Sequence, residues 1–239
     1  MRMIFSIHIP KTAGTSFQRA LSERYGKRLA LYYGVLDPKT TEGLRVPADE
    51  LAVAAARLED RGFEILHGHY RYANVASLTT DPATVWTWLR DPVERTLSHY
   101  EFYRRRPLEL KPLAERVKAG EVRLAAFAQE PEVRDIQSRF LKGVELSNLG
   151  FVGISERFEL GLSLLFGDDA PTLKLRYNAT ERESEAKPAQ RAMIARTNVR
   201  DMQLYAEGLR LFVDRVAESR APAAGERPSL LKRLTRPGG

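Results

Sequence analysis

Residues 3–9, MIFSIHI, are almost all apolar or β-branched, until Pro10 ends the run. A continuous apolar stretch closed by a residue with no N–H for a sheet ladder predicts a buried strand. FEILHGH at 63–69 and TVWTWL at 84–89 repeat the pattern, a fourth run ends near Ile154 within LGFVGISERF, and 172–177 offers a fifth. Helical patterns lie between the strands. They start at Thr15, cover 47–60 behind Pro47, run from 92 to about 106, and follow the fourth strand to about Phe166. Two more cover 188–196 and 199–216, the latter with Met202, Tyr205, Leu209 and Phe212 at helical spacing. Asp91 and Pro92 make a good start for the third-strand helix, as N-cap and first helical residue. Strands alternating with helices predict an α/β fold in three layers, with a mostly parallel sheet of about five strands covered by helices on both faces. Residues 107–146 read as a mostly helical insert turning at Gly120 and Gly143. Residues 1–216 then form one domain, and 217–239, rich in Pro, Gly and Arg, reads as a disordered basic tail.

Composition narrows this picture. With 239 residues, 43% of them hydrophobic, the chain can bury one substantial core. It has no cysteine, which excludes disulfides, thiolate metal sites and a cysteine nucleophile. No apolar run approaches the roughly 20 residues of a membrane span. The first strand starts within a few residues of Met1, leaving no room for a signal peptide, so the expected location is cytoplasmic. The net charge of +7 invites a polyanion. The arginines, however, are interleaved with glutamates, as in LSERYGKR and RLEDR, which is the pattern of solvated helix faces. No zinc-finger spacing or RNP-type aromatic motif points to a specific nucleic-acid partner.

Chemistry concentrates at three strand ends, where ligands bind in open α/β sheets. After the first strand, PKTAGTS leads directly into a helix. Loop N–H groups, the unpaired donors of the first helical turn and the helix dipole together favour an anion there. Lys11 adds a full charge, and Gly14 lets the backbone come close. The nucleotide-hydrolase pattern GxxxxGK[ST] is absent, because lysine here precedes the glycine. After the third strand, WLRDPVERTLSHY offers the bidentate fork of Arg90 and, about two helical turns on, the Ser98 hydroxyl. A plainer account pairs Arg90 with Asp91 or Glu94 and leaves Ser98 on the surface.

After the second strand, His67 and His69 stand two apart, so an extended backbone points both to one face. Two imidazoles facing one cleft suit proton transfer or substrate contact. A metal pair competes with that reading, but no nearby histidine or acidic triad completes a ligand set. His8 reads as a packed core residue and His99 as structural.

Taken in order, HIPKTAGTSF and LRDPVERTLSHYEFYR resemble the sulfotransferase superfamily, which uses 3′-phosphoadenosine 5′-phosphosulfate (PAPS). The likeness is narrower still to the carbohydrate branch that contains heparan sulfate 2-O-sulfotransferase and its soluble bacterial relatives. FVGISERFELGLSLL and RDMQLYAEGLRLF also look like that family's C-terminal half. The resemblance implies a P-loop-like fold with PAPS as donor and no metal. Lys11, Thr12, Ala13, Gly14, Thr15 and Ser16 would hold the 5′-phosphosulfate, and Arg90 and Ser98 the 3′-phosphate. HGH resembles the family's paired histidines, with His69 as general base and His67 as its companion. Arg139, in IQSRFL, falls where the family grips its acceptor, here a carbohydrate or other alcohol that can be acidic. The chain departs from Golgi members in lacking cysteines and an N-terminal anchor, and it is short, so substrate-gripping insertions are expected to be abbreviated. Acceptor identity and oligomeric state stay open. Two other functions fit parts of the pattern: a nucleotide-dependent phosphotransferase, and a non-catalytic module for PAPS or sulfated polyanions.

Overall fold

The computed structural model describes residues 3–105, 112–171 and 186–220. Five strands, β1 (Ile4–Ile7), β2 (Leu29–Tyr32), β3 (Ile65–Gly68), β4 (Val85–Leu89) and β5 (Phe151–Ile154), form one sheet in the order β2-β3-β1-β4-β5. Every pairing in it is parallel. Among the described residues the helices are α1 (Gly14–Tyr25), α2 (Leu51–Ala55), α3 (Pro92–Arg105), α4 (Pro112–Lys118), α5 (Leu124–Phe127), α6 (Ile136–Phe140), α7 (Phe158–Phe166), α8 (Pro188–Thr197) and α9 (Val199–Arg220). None of them is long and apolar enough to cross a membrane.

Alternation along each strand sends side chains to two faces. On one face Phe5, Ile7, Leu66, Val85, Leu89, Val152 and Ile154 pack with Leu51 and Ala55 of α2 and Phe212 of α9. On the other, Ile65, Trp88 and Phe151 pack with Phe17, Ala20 and Leu21 of α1 and Phe158 and Leu162 of α7. Both faces are therefore dry, as a parallel sheet requires, and the expected three-layer α/β architecture is what the chain adopts. The helical insert packs as a smaller unit, where Leu113, Val117, Val122, Phe127 and Val133 close around Tyr103 of α3.

Three details depart from the sequence reading. β2 is not among the strands the pattern predicts, because LALY is four residues long, edges the sheet and pairs with β3 alone. The helix expected over 47–60 narrows to Leu51–Ala55, since hydrogen bonding then shifts to three-residue turns at Leu58 and Arg61. α9 continues to Arg220, beyond the helix end expected at 216. The strand expected at 172–177 lies outside the described residues, as does the tail from 221.

Trp88 fixes the spacing of β4, β5 and α7. A Cβ on Gly153 would come within 2.4 Å of its ring, and one on Gly161 within 2.5 Å. Gly161→Ala should therefore lower the unfolding free energy by about 1–3 kcal/mol through overpacking. The same change in a Trp88→Phe background, where the clashing ring is absent, should cost measurably less in urea denaturation. Equal costs in both backgrounds would separate Gly161 from Trp88.

Candidate active site

β1, β3 and β4 end side by side, and each end carries polar chemistry. After β1 the chain turns sharply. Lys11 takes φ 72° and Ala13 φ 64°, both left-handed, at about 1–2 kcal/mol per non-glycine residue. Ala13 occupies the N-cap position of α1 and supplies no side-chain cap. The turn is held by Thr12, fully buried, whose hydroxyl donates to the Ile9 carbonyl at 2.9 Å. Thr12, expected among the anion ligands, thus spends its hydroxyl on the turn. Thr15 is exposed and Ser16 half-buried on the first turn of α1. Gly14 is required by contact, since a Cβ there would sit 1.7 Å from Nε2 of His8.

Arg90, the first residue beyond β4, reaches back to this loop, and its Nη1 donates to the Lys11 carbonyl at 3.1 Å. The Lys11 ammonium lies over the Phe102 ring, 4.4 Å from its centroid. Phe102 is one turn beyond Ser98 on α3, so Ser98, 6% exposed, occupies the helix face that meets the loop. Asp91 caps α3 by accepting from the Glu94 N–H at 2.9 Å. The bond from Arg90 to Lys11 joins residues 79 apart in the chain.

The third strand end carries the imidazoles. Ser6 pairs with His67 in the β1–β3 register, and Ile7 with Gly68, so His8 comes level with His69. The His8 ring stacks on His69 at 4.2 Å between centroids and on His67 at 5.2 Å. Tyr33 closes the group edge-on to His69 at 4.9 Å, with its hydroxyl 3.3 Å from Nδ1 of His8 and donating to Gln18 Oε1 at 3.1 Å. Nδ1 of His69 is 2.8 Å from the His8 carbonyl oxygen. A carbonyl only accepts, so Nδ1 carries the proton, and in the neutral ring the basic lone pair lies on Nε2. His67 is 1% exposed and bonds through Nδ1 to the Ser6 hydroxyl at 2.8 Å. His69 is therefore oriented by the His8 backbone and not by His67. Burial, then the neighbouring His69 and His67, hold His8 well below the ordinary imidazole range. Burial, then His69, push His67 down to about 3, against a smaller opposing effect of the Gly14 backbone.

His8 is buried, as expected of a packed residue, and what it packs against is both histidines of HGH. The signal was available in the spacing Ser-x-His against His-x-His, once two adjacent parallel strands are aligned on their apolar residues. His99 packs edge-on against Tyr103 at 4.5 Å and Phe127 at 5.4 Å, the structural role expected of it. Arg139 is half-buried on α6, and burial followed by the charge of Arg71 lowers its pKa. Its neighbours Gln137 and Ser138 bond inward to Arg90 and Asp201. Among the described residues no group of three or more His, Asp or Glu is arranged to hold a metal ion.

No protein-family model matches the chain, and no curated protein matches it. Among solved structures, a crystal structure of a mouse sulfotransferase complexed with PAP resembles it with a TM-score of 0.40 and 15% identity. The match covers 84% of this chain and 64% of that one, so the chain spans less than two thirds of that protein's length.

The buried imidazoles make stability depend on pH. Below pH 6.5 the unfolded chain protonates His67 while the folded chain, with its pKa near 3, does not. This group therefore leaves stability unchanged above about pH 6.5 and erodes it as pH falls from there toward 3. His67→Asn places an amide where Nδ1 meets Ser6 and removes the titration. Its melting temperature, relative to wild type, should rise steadily as pH is lowered from 7 to 4. Parallel profiles would show that His67 carries no such penalty.

Proposed function

We propose that the chain is a sulfotransferase that moves a sulfuryl group from PAPS to an alcohol, of the carbohydrate type its motifs resemble. The observation that carries this reading is the Arg90 bond to the Lys11 carbonyl. It joins two motifs distant in sequence at neighbouring strand ends, beside a histidine whose tautomer is set for accepting a proton. The loop of Lys11 to Ser16 with the first turn of α1 suits the 5′-phosphosulfate, and the fork of Arg90 with Ser98 suits the 3′-phosphate.

In the transfer, the acceptor oxygen forms a bond to sulfur as the bond from sulfur to the bridging phosphate oxygen breaks, releasing 3′-phosphoadenosine 5′-phosphate (PAP). Lys11 meets the charge that grows on that phosphate, and Nε2 of His69 takes the acceptor's proton. Stacked between His8 and the edge of Tyr33, His69 has little freedom to turn away. His67, buried on Ser6, supports the packing of this group. Arg139, beside Arg71, is assigned to an acidic portion of the acceptor. Phosphotransfer from a nucleotide would call for carboxylates to hold Mg²⁺. The acid at the β4 end, Asp91, instead caps α3.

Thermal titration with PAP, with ATP plus Mg²⁺, and with heparin separates this reading from a phosphotransferase and a polyanion-binding module, because the true ligand raises the midpoint. PAP should give the largest shift; a shift with ATP–Mg²⁺ or heparin alone rejects the proposal. Two variants then test the assigned chemistry. Lys11→Ala should cut turnover on the order of a hundredfold while PAP affinity changes far less, since its contact strengthens in the transition state. His69→Ala should abolish transfer and leave calorimetric PAP affinity nearly intact. Wild-type turnover should decline toward acid pH, because a protonated imidazole cannot act as base. Sustained activity of His69→Ala would move the base elsewhere.

A further inference from the structure

Arg90 lies one residue beyond β4, so its own peptide groups have left the sheet ladder. They are not left to solvent. The Arg90 N–H donates to Oε1 of Gln137 at 3.0 Å, and Nε2 of Gln137 donates to the Arg90 carbonyl at 2.9 Å. A primary amide presents an acceptor and a donor in one plane, as a peptide does. Gln137, fully buried, thus continues the sheet for one residue without a strand.

Gln137 belongs to α6, a five-residue helix that has no side-chain cap of its own at Asp135. Its N-terminal donors are met from α9 instead. Asp201, fully buried, accepts from the Gln137 N–H at 3.1 Å, the Ser138 N–H at 2.8 Å and the Ser138 hydroxyl at 2.7 Å. The arrangement is reciprocal, since the Asp135 carboxylate accepts from the Asp201 N–H at 3.1 Å and Asn198 Oδ1 accepts from the Asp135 N–H at 3.0 Å. Each helix start is capped by the other's carboxylate. Fully buried Arg95 lends Asp201 a countercharge, which favours the ionised form against the cost of burial.

We propose that Gln137 is a positioning residue for Arg90, held in register by Asp201, and that the pair sets the chain's preference for a nucleotide with a 3′-phosphate. This rests on the sulfotransferase reading, in which Arg90 meets that phosphate. Gln137 grips the Arg90 backbone on one side, and the Lys11 carbonyl receives its guanidinium on the other. The fork is therefore fixed at both ends. Releasing the backbone leaves the charge in place but costs its aim, and aim decides whether a bidentate contact forms.

The test is the ratio of PAP to AMP affinity, measured by calorimetry alongside melting temperature. Wild type should prefer PAP. Gln137→Leu, which removes both bonds at similar volume, should reduce that preference on the order of tenfold. In an Arg90→Ala background the same change should alter the preference less than about twofold, because the residue it acts through is gone. Gln137→Glu keeps the acceptor and loses the donor; it should give an intermediate preference, and it reads the same quantity should Gln137→Leu fail to fold. A wild-type preference retained in either folded variant, whatever its melting temperature, would make Gln137 a structural residue and overturn the proposal. Wild-type protein with no preference for PAP over AMP would instead remove the sulfotransferase reading, and the proposal with it.

Discussion

Parallel pairing of β1 with both β3 and β4 brings three carboxyl ends to one edge of the sheet, and the polar architecture of the chain follows from that alignment. Residues scattered from Ser6 to Arg90 become neighbours because the strands start and stop together. The alignment is itself set by burial. Phe5 lies level with Leu66 and Val85 on one face, and a slip of one residue would turn the whole apolar set toward the wrong helices. The same register that satisfies the core therefore stacks His8 beside His69.

How much of this could be read beforehand depended on how local each determinant is. β1, β3, β4 and β5 announce themselves as continuous apolar runs, because strands buried on both faces carry little polar residue. β2 does not, since four residues at a sheet edge give too short a pattern and Leu29 and Leu31 are only half-buried. Residues 172–177, counted as a strand on the same grounds, fall outside the described residues. The shared face of His67 and His69 follows from strand periodicity and needs no tertiary information. The part played by His8 requires knowing which strand lies alongside which. Gln137 could not be placed from local pattern at all, because its partner is 47 residues away and the bond is to backbone. A side chain that serves a distant peptide leaves no periodic trace.

Energetically the site works against the fold that holds it. Two left-handed non-glycine residues sit in one turn, and three imidazoles pack where charge is poorly tolerated. Arg95 is fully buried, and desolvation pushes its pKa down to about 10. These are the expected marks of a place where local preference has been overruled. The compensation comes from the dry faces of the sheet, where Trp88 and Phe158 pack with ring centroids 4.6 Å apart.

The reciprocal capping of α6 and α9 has a consequence for assembly. Neither helix start is satisfied until the other arrives, so the two are expected to dock in one cooperative step, and isolated α6, at five residues, is too short to persist alone. Arg90 gains its amide neighbour only at that moment. The sheet can collapse around β1, β3 and β4 from contacts made within the first 90 residues, yet the edge of β4 stays unfinished until residue 201 is in place. The Gln137 bond to the Arg90 backbone, which closes a separation of 47 residues, is thus expected to form late in folding.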